Sequence, residues 1–237
     1  MTDDSKNNEE ENNSCVYTHN FNEAMTRYDC FYFLDKEDVF ENIENAIAKN
    51  KRQRLGLTLI IEINKPQTLH RLSVDVFPLD YYDYIILNCS GLDTDTVYEY
   101  WKIMDSYKKN DFVKYLGVRN IRQNTLENLI SLTKLHKLTK PSMYILDATI
   151  PATREKIIKY CLKNGLFIYL VNKLNMTNDN LKKLALEKKC NVKDLIASRI
   201  VKGGLGLLSY NCIDFNIIQL TDDDLIIIDD SLMEALF

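Results

Sequence analysis

Hydrophobic and polar positions along this chain follow two periods, and the two take turns. "YDCFYFL" (28–34) is a short aromatic run suited to a strand. "KEDVFENIENAIAKN" (36–50) sets Val39, Phe40, Ile43, Ala46 and Ile47 on one helical face. "LGLTLIIEI" (55–63) is continuously apolar and β-branched and is closed by Asn64-Lys65-Pro66, the pattern of a strand buried on both sides. A further strand is expected from Tyr84 to Leu87. The helix "TDTVYEYWKIMDSYKKN" (94–110) follows, with Thr94 as its cap and Val97, Trp101 and Met104 on one face.

The alternation continues. "VKYLGV", "SMYILDAT" and "GLFIYLV" read as strands, "QNTLENLISLTKLHKL" and "PATREKIIKYCLKN" as helices, the second opened by Pro151. "TNDNLKKLALEKK" and "NVKDLIASRIV" read as helices, "GLGLLSY" as a last strand and "TDDDLIIIDDSLMEAL" as a closing helix. Strict β–α alternation implies a parallel sheet covered by helices, either open and doubly wound or closed into a barrel. No G-x-G-x-x-G follows the first strand and the chain has only 7 glycines, so a dinucleotide-binding open sheet lacks its main signal. The strand count favours a (β/α)8 TIM-type barrel, possible gaps in its first strands included. Residues 1 to 15 are polar and acidic and are expected to be a disordered tail, with residues 16–237 as one barrel domain.

Chemistry in such barrels sits at the C-terminal ends of the strands. That rule selects Lys65, Asn88-Cys89-Ser90, Arg119-Asn120, Asp147 to Thr149 and Asn172-Lys173. "DYYDYIILNCSG" (80–91) is the sharpest case, an apolar run that stops on a polar trio.

Composition removes several alternatives. A net charge of −4 gives no general attraction to nucleic acid or to an anionic membrane. No apolar run approaches the roughly 20 residues of a membrane span, and the acidic start "MTDDSKNNEEENNS" is unlike a secretory signal, so a cytoplasmic protein is expected. The six cysteines are scattered without a C-x-x-C pair, which reads as free thiols, mostly buried. Cys89 could be reactive or bridge to a partner, but a buried strand-end thiol is more often inert. His19, His70 and His136 are too dispersed for a metal site, and Asp222-Asp223-Asp224 after Thr221 reads as helix capping rather than as a calcium loop. No metal is expected. "KNKRQR" (49–54) reads as the basic end of a helix.

"LDYYDYIILNCSG", "EYWKIMDSYKKNDFVKYLGVRNIRQNTLENLI", "KPSMYILDATIP" and "IIKYCLKNGLFIYLVNKL" follow one another as the central and late segments of aldo-keto reductases do. The chain resembles that superfamily over about residues 55 to 200. The resemblance rests on W-x-x-M-D, K-Y-L-G-V-R-N and L-E-N-L at family spacing. It implies an aldo-keto reductase barrel in which Asp, Tyr, Lys and His would act at the strand ends. Here Asn88-Cys89-Ser90 stands where the His is expected and Lys65 is the nearest match to the Lys. No Asp and Tyr four residues apart precede it. The vestigial counterparts of the catalytic positions are therefore Lys65, Asn88 and Cys89.

The cofactor positions depart in the same way. The family's Ser-Asn after the fifth strand is Arg119-Asn120, its Gln on the sixth falls at Ile145 or Leu146, and its stacking Tyr falls near Val171. The phosphate clamp would lie in "GGLGLLSYN" (203–211), where Lys202 is the adjacent cation. Arg119, Asn120 and Lys202 are thus the candidates left for NADPH, whose binding is expected to be absent or a vestige.

Within the superfamily the chain is similar to the regulatory, or modifier, subunits of glutamate–cysteine ligase. The similarity lies in "LTLIIEI", in small polar residues replacing the His, and in "WKIMDSYKKNDFVKYLGVRN". That resemblance implies a non-catalytic barrel in glutathione biosynthesis. It would bind the catalytic subunit as a heterodimer and modulate its substrate affinity and glutathione feedback inhibition. The alternative is a divergent NADPH-dependent aldo-keto reductase.

Overall fold

The structure is a computed structural model describing residues 15–17, 30–34, 39–50, 56–64, 81–147, 155–171, 178–210 and 216–234. Eight parallel strands close into a barrel in sequence order: β1 (Cys15–Tyr17), β2 (Cys30–Leu34), β3 (Thr58–Ile63), β4 (Tyr82–Asn88), β5 (Val113–Arg119), β6 (Met143–Asp147), β7 (Phe167–Val171) and β8 (Gly206–Tyr210). Closure is made by β1, which pairs with β2 on one side and with β8 on the other. The ring is therefore complete, its first strands included. Cys15 belongs to β1 and not to the tail, and residues 1–14 lie outside the described residues.

Among the described residues seven helices cover the barrel: α1 (Val39–Lys49), α2 (Thr94–Lys109), α3 (Gln123–Leu135), α4 (Glu155–Lys163), α5 (Asp179–Glu187), α6 (Val192–Lys202) and α7 (Asp222–Glu234). The periodicity located each of them. Two caps differ in detail from expectation or specify it. At α2 the cap is Asp93 rather than Thr94, with its carboxylate accepting from the Thr96 N–H at 2.7 Å. At α7, Thr221 and Asp224 exchange bonds, the Thr221 N–H donating to the Asp224 carboxylate at 2.7 Å and the Asp224 N–H to the Thr221 hydroxyl at 3.2 Å. The reciprocal bonds form a capping box, where the sequence was read as helix capping.

Two apolar layers result from the period of two along each strand. The outer layer between strands and helices holds Leu59, Ile61, Ile85, Leu87, Trp101, Leu116, Val118, Leu126 and Ile196, among others. The barrel interior holds Tyr32, Ile60, Ile86, Met143 and Ile145, with Tyr84 and Tyr169 packed against them. Two glycines make that interior possible. A Cβ on Gly206 would come within 2.6 Å of the Tyr169 ring. One on Gly117 would overlap Ile86 and lie 2.9 Å from the Met143 carbonyl oxygen.

The motif W-x-x-M-D is part of this scaffold. Trp101 Nε1 donates to the Thr139 carbonyl at 2.8 Å, and the Thr139 N–H donates to the Asp105 carboxylate at 2.7 Å. Two side chains one helical turn apart thus hold both polar groups of one residue in the loop that enters β6. Burial pushes the Asp105 carboxyl up, but the hydrogen bonds from Lys109 and Thr139 outweigh it and hold the group below its ordinary value.

Candidate functional site

The inward rows of the barrel can be followed through the strand register. Glu62 on β3 pairs with Ile86 on β4, then Gly117 on β5 and Met143 on β6. One step nearer the C-terminal mouth, Asn88 pairs with Arg119, Ile145 and Tyr169 in turn. Two charged residues therefore face the inside of a packed barrel, where an isolated charge would be costly.

They neutralise one another. The Arg119 guanidinium Nη1 donates to Glu62 Oε2, and the Tyr32 hydroxyl donates to the same oxygen. Arg119 Nη1 also donates to the Tyr32 hydroxyl oxygen at 3.2 Å. The other carboxylate oxygen, Oε1, accepts from the Asn88 amide at 2.8 Å. The second amide hydrogen of Asn88 goes to Asn64 Oδ1 at 2.8 Å, and Asn88 Oδ1 accepts from the Ser90 N–H at 3.1 Å. Glu62 and Tyr32 are 0% exposed and Arg119 is 7% exposed, so the cluster is a closed polar layer just beneath the mouth.

The polar trio at the end of β4 separates into three environments. Asn88 turns into the barrel and roofs Glu62. Cys89 turns outward into the layer beneath the helices, with its thiol 3.5 Å from the Leu87 carbonyl oxygen. Burial pushes that thiol well above its ordinary range, against a smaller lowering by the Arg119 backbone, so at neutral pH it carries no thiolate. Ser90 is exposed at the turn that Gly91 makes with φ +74°.

The remaining candidates are dispersed. Lys65, Thr149 and Asn172-Lys173 lie outside the described residues, as do His19 and His70. Arg119 was a candidate for the cofactor edge, but its guanidinium turns back into the barrel onto Glu62. Asn120 follows it at φ +52°, its N–H donating to the Ile145 carbonyl at 3.3 Å. Lys202 ends α6 and donates to the Leu220 carbonyl at 2.6 Å, with Asp222 at 3.7 Å. It ties α6 to the start of α7 rather than standing over an open anion site. His136 is exposed at the end of α3, its ring 5.7 Å from that of Tyr98. Among the described residues no group of three or more His, Cys, Asp or Glu is placed to hold a metal ion.

Sequence reasoning missed Tyr32 and Glu62. Glu62 carried a signal, since it is the one charged residue within "LTLIIEI", and a strand buried on both faces cannot hold a carboxylate without a partner. Its partner is 57 residues away and no local pattern points to it.

No protein-family model matches the chain, and no curated protein matches it in sequence. Solved structures do match it in fold. An aldo-keto reductase from a Medee basin deep-sea metagenome library is 16% identical with a TM-score of 0.79, over 95% of this chain and 93% of that one. An aldo/keto reductase from Brucella melitensis is 16% identical with a TM-score of 0.80, over 92% and 94%. An aldo-keto reductase from Bombyx mori in complex with NADP is 16% identical with a TM-score of 0.67, over 86% and 79%. The fold is thus that of the aldo-keto reductases. At such identity the likeness extends to the fold alone.

NADP is the cofactor that this fold brings into question. In barrels of this class a phosphate site is commonly built from the loops after the last two strands and the N-terminus of a short extra helix. Among the described residues no helix lies between β8 and α7, and Thr221 follows the end of β8 by eleven positions. Lys202 and Arg119 are engaged as above and Ile145 packs in the interior, so these three do not form a dinucleotide clamp; residues 148–154, 172–177 and 211–215, after β6, β7 and β8, lie outside the described residues.

Proposed function

We propose that this chain is a non-catalytic regulatory subunit that binds the catalytic subunit of glutamate–cysteine ligase and modulates its substrate affinity and its feedback inhibition by glutathione. The observation that carries the non-catalytic half is the closed cluster beneath the barrel mouth. Tyr32 directs its one hydroxyl proton to Glu62, and Asn88 covers the carboxylate from above, so neither Tyr32 nor Glu62 presents a proton to a carbonyl substrate. The partner is supported by the sequence resemblance of "LTLIIEI" and "WKIMDSYKKNDFVKYLGVRN" to modifier subunits.

One observation favours a second reading, a divergent NADPH-dependent aldo-keto reductase. A phenol against a cation–carboxylate pair is an arrangement that can polarise an acid, and Tyr32, Arg119 and Glu62 have that chemistry. The named structural neighbours are themselves reductases. Two measurements separate the readings. Purified chain is mixed with the ligase catalytic subunit, and the subunit's glutamate KM and its inhibition by glutathione are compared with and without it; a shift in both is expected. The isolated chain is also titrated with NADPH by fluorescence and assayed with aldehydes. Tight NADPH binding together with carbonyl turnover that Tyr32→Phe abolishes would replace the first reading with the second.

A further inference from the structure

Helix α7 has two apolar faces, and the fold uses one. Ile228 and Leu232 are buried against α5 and α6, whereas Ile226 and Ile227 stand 59% and 40% exposed. The outward stripe is continuous: Asp223, Ile226, Ile227 and Asp230 recur at i, i+3, i+4 and i+7. An isoleucine pair set between two carboxylates is more than scatter, because the helix spends its other acids differently. Asp224 pairs with Lys188 of the α5 end at 2.5 Å, Asp229 with Arg199 of α6 at 2.8 Å, and Asp222 faces Lys202 at 3.7 Å. Those three clamp α7 to its neighbours. Asp223 and Asp230, which flank the isoleucines, have no cation within 4 Å among the described residues.

Two further exposed aliphatic side chains neighbour, in sequence, the residues that tie α6 to the start of α7. Val201 adjoins Lys202, and Ile217 precedes the Leu220 carbonyl that Lys202 holds; both are exposed. Water-exposed aliphatic surface with an ordered acidic rim is matched by an apolar surface edged with lysine or arginine. A second copy of this chain offers the opposite: two such stripes in contact would set Asp223 and Asp230 against their equivalents, between molecules that each carry a net charge of −4.

The geometry points to the outward face of α7 as the docking face for the catalytic subunit, through a partner surface that is apolar at its centre and basic at its edge. This rests on the regulatory reading above for the partner's identity. Its test uses the full chain and the purified catalytic subunit, with affinity measured for the natural chain, for Ile226→Glu with Ile227→Glu, and for Asp223→Lys with Asp230→Lys. All four side chains are exposed, and thermal melts followed by circular dichroism check that the variants stay folded. Each double variant is expected to bind at least about tenfold more weakly. The affinity of the natural chain should fall as salt rises from about 0.05 to 0.5 M. Undiminished binding by both folded variants overturns the docking face while leaving the regulatory reading in place. Failure of the natural chain to bind at all removes both. A homodimer of the natural chain that Ile226→Glu dissolves would assign the face to a second copy and overturn the proposal.

Discussion

Removing Arg119 is the most direct perturbation of the barrel interior. In Arg119→Met the Glu62 carboxylate keeps the hydrogen bonds from Tyr32 and Asn88 but loses the guanidinium paired with it, in a site with no exposure. Breaking a buried ion pair by deleting one partner costs about 3–5 kcal/mol. Against a total stability of about 5–15 kcal/mol this is a large loss. With a urea m-value near 3 kcal/mol/M, the midpoint should fall by about 1–1.7 M. Replacing Tyr32→Phe, Glu62→Leu and Arg119→Met together removes both charges of the pair and the hydroxyl between them, and one Asn88 N–H at the rim loses its acceptor. Such apolar replacement of a buried ion pair is often neutral. The triple variant should therefore lie within about 2 kcal/mol of the natural chain, more stable than Arg119→Met alone. Urea unfolding followed by circular dichroism measures all of these. A single-variant cost under about 1 kcal/mol would mean that water reaches the pair, and a triple variant weaker than the single would mean that the cluster contributes net stability; either result refutes the reasoning.

Three further outcomes follow from other parts of the structure. Gly117→Ala places a methyl group against Ile86 and the Met143 backbone, and overpacking of that kind should cost about 1–3 kcal/mol; a neutral thermal melt would show that β5 and β6 separate easily. The Asp105 and Asp224 carboxyls are both pushed up by burial but held lower overall by their hydrogen bonds, to Lys109 and Thr139 and to Lys188 and Thr221 respectively. Their stabilisation is complete above the unfolded carboxyl value and is lost as pH falls through the lowered folded values, so Asp105→Asn should flatten the decline in melting temperature below about pH 4. An unchanged decline would assign acid sensitivity elsewhere. Burial pushes the Cys161 thiol up to about 12 and Cys89 higher still, so neither should take iodoacetamide at pH 8 until the chain is unfolded, as read by mass spectrometry. Labelling of folded Cys89 at the rate of a peptide thiol would contradict its place under the helices.

The barrel was legible because each β–α unit writes its own periodicity, and a run such as "LTLIIEI" or "LENLISL" needs no distant information to be recognised. β1 was not legible, since three residues, Cys15 to Tyr17, are too few to display a period. The α2 cap was displaced by one residue because Asp93 and Thr94 are both capping types, and the choice between them depends on which backbone leaves the helix. The site was legible as a position and not as an arrangement. Strand-end counting found Asn88 and Arg119, but matching Arg119 to a cofactor edge carried no knowledge of where its guanidinium turns. That direction is decided by Glu62, 57 residues earlier, through the closure of the ring.

That closure also gives the cluster a role that its individual bonds do not have. Tyr32, Glu62, Asn88 and Arg119 come from β2, β3, β4 and β5, four neighbouring strands in ring order. A slip of β3 by one residue would turn Glu62 out among the helices and Ile61 inward, taking the carboxylate away from the buried Arg119. An apolar interior would resist that slip only through packing, because aliphatic residues occupy both faces of β3. The carboxylate marks one face as different from the other, so the register of four strands becomes an electrostatic as well as a steric choice. Just beneath the mouth, the barrel of this chain is filled by side chains that bond to one another across those four strands.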